Sequence, residues 1–375
     1  MIKSRIIMVA GLLLTIIGAG GWAIIQVTEK IASRSIIHEN IAGRSPDLIA
    51  KKEQEQQGPS DKLPEPSKEI TFLAVGDVML SRTVADKMQR HGFDYPYEKV
   101  ADLLQSADFV FGNLEMPIIE GRRIEAYEMV FRADPGAEQG LAKANFEIVS
   151  LANNHTMNFS NQGIENTFQL LDNAGINYCG AGMTKEQALQ PALFRKDGLT
   201  LAFLCFTDTD VSPDSYGAKE QVSGVAFMNL DDLDSALENA REQADIIIVS
   251  THSGNEYTEV INSSQSSFAR HAIDMGADLV IGHHPHVVQK VEEYKDKQII
   301  YSLGNFIFDQ EWSQETKQGM TALITMNEQG VSDMAFQPVI IEDYSQPRLT
   351  DESETQSILD RLQFTFTKKD CDCGG

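Results

Sequence analysis

Six short apolar runs in this sequence each end next to polar side chains that can bind a metal ion or move a proton. The runs are ITFLAVG, ADFVFG, FEIVSLAN, DIIIVST, ADLVIG and QIIYSLG. The polar residues that follow them are Asp77, Asn113 and Glu115, Asn154 and His155, His252, the trio His283, His284 and His286, and Asn305. A polar residue after a strand is ordinary turn chemistry, but five of the chain's eight histidines fall at these positions. The repetition indicates one composite site.

The mixture of imidazole, carboxylate and carboxamide groups suits zinc, manganese or iron better than calcium, which prefers oxygen ligands alone, and copper stays open. His284 and His286 are expected to face the same side, because residues i and i+2 do so on an extended chain. Two ions about 3.5–4 Å apart could clamp the oxygens of a phosphate-like centre. The candidate metal ligands are Asp77, Glu115, Asn154, His252, His284 and His286, and the further cleft residues are Asn113, His283 and Asn305.

The candidate catalytic residues are His155 and Glu256. His155 could act as an acid or stabilise a developing charge. Glu256 follows His252 by four residues, so the two would share one face if the segment THSGNEY were helical. Glu256 could then orient a ligand or act as a base, and a solvated carboxylate is the alternative.

The runs that carry these residues predict an α/β fold. They are apolar throughout rather than alternating, which is typical of strands covered on both faces. Amphipathic stretches with helical spacing separate them: YEKVADLLQSA, NQGIENTFQLLDNAG, DDLDSALENAREQA and SSFARHAIDMG. Alternating strands and helices with right-handed crossovers give a layered α/β architecture, in which the residues beyond the carboxyl ends of the strands meet at one crevice.

The net charge limits the partners that we expect, and the positions of the cysteines limit their roles. A formal net charge of -24 would repel nucleic acid, so no nucleic-acid partner is expected. Cys205 lies in an apolar run and is interpreted as a small buried residue, with a disulfide to Cys179 as the open alternative. Cys371 and Cys373 lie in the polar sequence KKDCDCGG and are interpreted as part of a frayed terminus.

Residues 6–27 contain no formal charge and would form a helix about 33 Å long, enough to cross a bilayer. Lys3 and Arg5 precede this segment, so the positive-inside rule puts the following residues outside the cytoplasm. A cleaved signal peptide is the competing interpretation. The predicted organisation is a cytoplasmic tail at 1–5, a single-pass anchor in the cell membrane at 6–27, a flexible stalk at 28–68, a domain at 69–345, and a C-terminal helix and tail at 346–375.

The ordered series VGDVML, GNLE, LANNH, THSGNEY, GHHPHVVQ and YSLGNFIFD, over about residues 70 to 310, closely resembles the CapA (PgsA) family of poly-γ-glutamate capsule biosynthesis proteins. That family is similar to calcineurin-like metallophosphatases, which implies a four-layer α/β/β/α sandwich with two divalent metal ions at the strand ends. The matching positions are Asp77 in the first motif, Glu115 or Asn113 in the second, Asn154 and His155 in the third, His252 in the fourth, and His283 to His286 in the last.

Two positions depart from the pattern. Met79 replaces a histidine, which would leave one metal shell incomplete, and Asn158 stands where an acidic residue is frequent.

The resemblance implies a membrane-tethered component of a poly-γ-glutamate synthesis and export complex. Its expected partners are the anionic polymer and membrane-bound synthase or export subunits. The alternatives are a stand-alone extracytoplasmic metal-dependent phosphoesterase and a scaffold with a degenerate cleft. The sequence leaves open whether the chain is catalytic.

Overall fold

The computed structural model describes residues 68–362 of the chain. The predicted anchor, nearly all of the predicted stalk, and Cys371 and Cys373 lie outside these residues. Among the described residues, no helix combines the length and the apolar character needed to cross a bilayer.

The strands and helices of the described part alternate along most of the chain. The strands are β1 (Ile70–Val78), β2 (Phe109–Leu114), β3 (Phe146–Ser150), β4 (Asn177–Cys179), β5 (Ala181–Gly182), β6 (Ala192–Lys196), β7 (Leu199–Thr207), β8 (Gly224–Val225), β9 (Ile246–His252), β10 (Leu279–His283), β11 (Val291–Tyr294), β12 (Lys297–Ile300), β13 (Asn305–Ile307), β14 (Gln318–Asn327), β15 (Gly330–Glu342) and β16 (Gln346–Leu349). The α-helices are α1 (Arg82–His91), α2 (Ala101–Leu104), α3 (Ala137–Lys143), α4 (Ser160–Ala174), α5 (Lys185–Ala188), α6 (Leu230–Arg241), α7 (Ser263–Asp274), α8 (Gln314–Lys317) and α9 (Glu352–Leu362). Short 3-10 helices cover Tyr95–Val100 and Asp214–Tyr216.

Two large sheets carry the fold. The first has the order β16-β15-β14-β1-β2-β3-β4, and β13 also pairs with β1. Strands β1 to β4 run parallel, and β14 to β16 continue the sheet in antiparallel fashion. The second sheet has the order β11-β12-β10-β9-β7-β6, with a parallel centre and antiparallel edges. Strands β5 and β8 form a small third sheet.

Three apolar clusters explain why the central strands are apolar on both faces. One cluster contains side chains of both large sheets, such as Phe72 and Phe203. A second contains the opposite face of the first sheet together with residues of α1, α3 and α4. The third contains the opposite face of the second sheet together with residues of α6 and α7. The mixed α/β class predicted from the sequence is confirmed.

A disulfide joins Cys179 on β4 to Cys205 on β7, 26 residues apart in the chain. Cys205 is buried as the sequence indicates, and its partner is the cysteine that the sequence left as the open alternative. Because β4 belongs to the first large sheet and β7 to the second, the bond covalently links the two sheets.

Candidate metal centre

The two large sheets each supply part of one polar cluster at their strand ends. In the first sheet, Asp77 on β1 lies in register with Asn113 on β2 and Asn305 on β13. In the second sheet, His252 at the end of β9 pairs with His283 at the end of β10. The predicted convergence is therefore present, but the residues come from the ends of two sheets.

Two glycines allow the sheets to approach each other at this end. A Cβ at Gly76 would lie 2.0 Å from the carbonyl oxygen of Gly304, and one at Gly282 would lie 2.0 Å from that of Tyr301. The segment between them is held by hydrogen bonds from the Asp77 N–H to Gly304 O (3.0 Å) and from the Leu303 N–H to Gly282 O (3.3 Å). These glycines precede Asp77 and His283 because a side chain there would separate the strands.

The inner group consists of Asp77, Glu115 and His252. All three are buried, and each offers a ligand atom within 4.8 Å of the others. Asn113 lies among them and its Nδ2 donates to Asp77 Oδ1 (2.8 Å) and Glu115 Oε2 (3.2 Å). The same Nδ2 lies 3.2 Å from His252 Nδ1, so one amide contacts all three side chains.

The pKa values of the two buried carboxyl groups of the inner group are shifted in opposite directions. Burial alone would raise the pKa of Asp77, but the nearby imidazoles of His283 and His286 outweigh it and hold the pKa well below its usual value. Burial, followed by the charge of Asp77, raises the pKa of Glu115 well above its usual value. Glu115 Oε1 is buried without a hydrogen-bond partner. A cation between the carboxylates would remove both the repulsion and the unpaired oxygen, so these residues fit a divalent ion.

The outer group consists of Glu256, His284 and His286, whose ligand atoms also lie within 4.8 Å of one another. The two histidines are buried and Glu256 is exposed. His286 connects the groups, because its Nδ1 lies 3.3 Å from Asp77 Oδ2 and its Nε2 lies 3.7 Å from Glu115 Oε1. These contacts place the two groups side by side in one cleft.

The backbone that presents the outer group differs from both conformations expected from the sequence. His284 and His286 do not lie on an extended chain: they follow the end of β10 and have positive φ angles of 98° and 57°. The segment from Ser253 to Asn262 is not helical, so Glu256 does not share a helix face with His252. It reaches His284 and His286 instead, which makes it a candidate ligand.

Asn154 adds a further possible ligand atom where His252 of the inner group meets His284 of the outer group. His252 Nε2 lies 3.0 Å from Asn154 Oδ1 and 3.1 Å from His284 Nδ1. Burial is the first cause of lowered pKa values for both histidines, and it brings that of His284 to about 3. Neutral imidazoles and an amide oxygen are suitable metal ligands.

His155 is held on two sides. Its Nδ1 lies 2.9 Å from Asn158 Oδ1, which also accepts the Phe131 N–H at 2.8 Å. Its ring stacks on Phe131 with centroids 3.9 Å apart. Burial lowers the pKa of His155 to about 4. Because Asn158 Oδ1 can only accept, His155 carries its proton on Nδ1, and Nε2 has the free lone pair.

Comparison with known proteins identifies the family. A family model for the bacterial capsule synthesis protein PGA_cap matches residues 71–310. The chain belongs to this family. It is 31% identical over 296 residues to "Capsule biosynthesis protein CapA" of Bacillus anthracis, covering 76% of this chain and 70% of the relative. It is 31% identical over 272 residues to "PGA biosynthesis protein CapA" of Bacillus subtilis strain 168, covering 72% and 71% respectively.

Solved structures with a similar chain path include the calcineurin-like phosphoesterase YfkN from Bacillus subtilis. It has a TM-score of 0.48 and 14% identity, and the match covers 80% of this chain and 97% of that one. A sulfate thiohydrolase SoxB from Thermus thermophilus has a TM-score of 0.42 and 10% identity, with 80% and 61% covered.

Two motif residues of this capsule synthesis chain lie beside the metal groups rather than in them. His283 is fully buried, with Nδ1 3.5 Å from Asp77 Oδ1. Asn305 accepts at Oδ1 from His286 Nδ1 (2.9 Å) and donates from Nδ2 to Thr316 O (2.9 Å). Met79 stands at the position where the resemblance expects a histidine. It packs in the apolar cluster between the first sheet and helices α1, α3 and α4, and its sulfur accepts the Ser81 N–H.

The sequence reasoning missed Asn153, which precedes the Asn154 and His155 pair. Asn153 is fully buried and donates from Nδ2 to Asn113 Oδ1 (3.0 Å) and Leu114 O (2.9 Å). Its Oδ1 accepts the His155 N–H (3.1 Å). The doubled asparagine of LANNH was the available signal: Asn153 shapes the turn, and Asn154 faces His252.

Proposed function

We propose that this chain is a membrane-anchored, extracytoplasmic component of poly-γ-glutamate capsule synthesis and export, with a cleft that binds divalent metal ions. Membership of the capsule synthesis family and the names of its CapA relatives support the role. The observation that carries the cleft is the meeting of the inner and outer groups within the matched residues 71–310. The polymer and membrane-bound synthase or export subunits are the proposed partners.

The side chains of the cleft have different roles in this proposal. Asp77, Glu115, Asn154 and His252 would hold one ion, and Glu256, His284 and His286 would hold another. When bound, the ions would supply Lewis-acid chemistry and make a water molecule more acidic. Asn113 keeps both carboxylates oriented, and His155 Nε2 can accept or return a proton because Asn158 occupies Nδ1.

The proposal places residues 6–27 in the cell membrane and the domain outside the cytoplasm. The uncharged segment after Lys3 and Arg5 supports it. The Cys179–Cys205 disulfide supports it independently, because disulfides persist mainly in oxidising compartments. We also propose the four-layer α/β/β/α order for the domain, which the three core clusters support.

His286→Ala in the full-length, detergent-purified chain tests the cleft. We expect the variant to lose metal, measured by plasma mass spectrometry, and to lose at least 100-fold in turnover of bis(p-nitrophenyl) phosphate if the wild type turns it over. The matched control is His271→Ala, since His271 lies on α7 and contacts Asp234 at 2.8 Å. Equal metal content in wild type and His286→Ala would contradict the proposal.

The second candidate is a stand-alone phosphoesterase, which the presence of two ligand groups in one cleft favours. Polymer yield in cells separates the candidates. Loss of both phosphoester turnover and polymer in His286→Ala favours the capsule component, whereas loss of turnover with normal polymer favours the stand-alone enzyme. If the wild type binds no metal, shows no phosphoester turnover and still supports polymer synthesis, the remaining interpretation is that the chain is a scaffold.

A further inference from the structure

Tyr257 closes a ring of contacts around His286. His286 Nδ1 donates to Asn305 Oδ1 (2.9 Å), Asn305 Nδ2 donates to Gln310 Oε1 (3.1 Å), and Gln310 Nε2 donates to the Tyr257 hydroxyl oxygen (3.3 Å). The Tyr257 ring then stacks on the His286 ring, with centroids 5.9 Å apart and planes 27° apart. The circuit fixes the plane of the His286 ring.

The proton of the Tyr257 hydroxyl is left for a second contact beside the outer group. Because Gln310 Nε2 donates to the phenol oxygen, the phenol proton is free for another acceptor. Glu256, the preceding residue, carries a carboxylate that can accept it. Tyr257 thus stacks on one residue of the outer group, His286, and directly follows another, Glu256, in the chain.

The backbone of Tyr257 is tied to the same turn as the outer histidines. Its N–H donates to Pro285 O (2.8 Å), the residue between His284 and His286. Tyr257 also has a positive φ of 60°, a strained conformation for a non-glycine residue that is concentrated at functional sites. The hydrogen bond to Pro285 O and the positive φ together fix the position of the Tyr257 ring.

The two metal groups depend on different supports. Asp77, Glu115 and His252 are buried and share Asn113 as their common neighbour. Glu256 is exposed, so its carboxylate needs a partner to hold one orientation against solvent. Tyr257 contacts the outer group and has no hydrogen bond to the inner group among the contacts of the described residues.

We infer that Tyr257 is a positioning residue that sets ion binding by Glu256, His284 and His286 separately from binding by Asp77, Glu115 and His252. The inference rests on the proposed metal cleft and adds a residue that controls one half of it. The outer group is then the weaker and exchangeable site, whose occupancy depends on the Tyr257 hydroxyl.

The chain provides its own reporter for the test. It contains two tryptophans, Trp22 and Trp312, and the Trp312 ring lies 5.5 Å from that of Tyr257. In a full-length Trp22→Phe background, Trp312 emission reports binding of Co²⁺, an open-shell ion that quenches nearby indoles. Tyr257→Phe is compared with this parent, because it keeps the stacked ring and removes the hydroxyl.

We expect two binding steps in the parent. In Tyr257→Phe the tighter step keeps its midpoint, and the Kd of the weaker step rises about 10–100-fold, the usual effect of losing a group that orients a metal ligand. Tyr257→Ala removes the stacked ring as well and weakens the same step further. Calorimetric titration with Zn²⁺ measures the stoichiometry without relying on the fluorophore.

Two further variants keep the outcome interpretable. Tyr294→Phe removes a hydroxyl that contacts Asp274 (3.4 Å) away from the cleft, and must leave both steps unchanged. Gln310 lies outside both groups, and Gln310→Leu removes the hydrogen bond that it donates to the Tyr257 phenol. This variant must also raise the Kd of the weaker step alone, even if Tyr257→Phe folds poorly. An unchanged weaker step in Tyr257→Phe and Gln310→Leu overturns the inference alone. A parent that binds no Co²⁺ or Zn²⁺ overturns the proposed metal cleft as well.

Discussion

Asn113 is the residue on which the inner metal group depends most. A neutral amide donates to two buried carboxylates and faces an imidazole, while its own oxygen accepts from Asn153. A carboxylate at this position would be isosteric but could not donate. The choice of amide over acid is therefore an electrostatic requirement of the metal-free protein.

Asn113→Asp tests this requirement. The variant places a third carboxylate against Asp77 and Glu115, so we expect the free energy of unfolding in EDTA to fall by about 3 kcal/mol, as for an unpaired buried charge. Added Zn²⁺ should restore part of the loss, because a cation is attracted to the extra charge. Urea denaturation with and without metal measures both effects.

Asn161→Asp is the control for the same chemical change at an exposed position, where the side chain accepts from Ser223 Oγ (2.6 Å). Its unfolding free energy should stay within about 0.5 kcal/mol of wild type. Equal stability of Asn113→Asp and wild type in EDTA would mean that the amide does not stabilise the carboxylates.

At the scale of the elements, the sequence predicts the strands better than the turns between them. Asp77 and His252 could be identified because they end apolar strands, a pattern that depends on local burial alone. The positions of Glu256, His284 and His286 could not be predicted, because their turns are fixed by long-range contacts such as Tyr257 N–H to Pro285 O. The open Cys179–Cys205 pairing could not be decided, because spacing does not reveal which strands of different sheets adjoin.

The disulfide between β4 and β7 gives a prediction for these elements. Replacing both Cys179 and Cys205 by Ala should lower the free energy of unfolding by about 3.5 kcal/mol, because the bond closes a loop of 26 residues in the unfolded chain. Urea denaturation under oxidising conditions measures the loss. Since the bond links the sheets that share the metal cleft, we also expect weaker metal binding.

The control for the disulfide is the pair Cys371→Ser and Cys373→Ser, which removes the tail thiols and keeps the bond between β4 and β7. This variant should unfold like wild type and should still be destabilised by reducing agent. If reducing agent changes the stability of wild type and the Cys179→Ala, Cys205→Ala variant equally, the disulfide does not stabilise the fold.

At the scale of the whole molecule, charge constrains how the chain could meet a glutamate polymer. The formal net charge of -24 repels another polyanion over a distance of about 10 Å at moderate salt. Attraction must then be local, and the divalent ions proposed for the cleft are the strongest local positive charges that its residues could supply. Polymer binding should therefore be abolished by EDTA and not by removal of surface lysines.

The proposed anchor can be tested with two isoleucine pairs that the sequence provides. Ile16 and Ile17 lie at the centre of residues 6–27, and Ile36 and Ile37 lie in the predicted stalk. Replacing the central pair by lysine costs about 3 kcal/mol per residue for insertion, so we expect the chain to leave the alkali-washed membrane fraction, whereas the same replacement in the stalk should leave it there. Retention of both variants would contradict the anchor. A wild-type mass lacking residues 1–27 would instead favour a cleaved signal peptide, because a protein that spans the bilayer must keep its spanning helix.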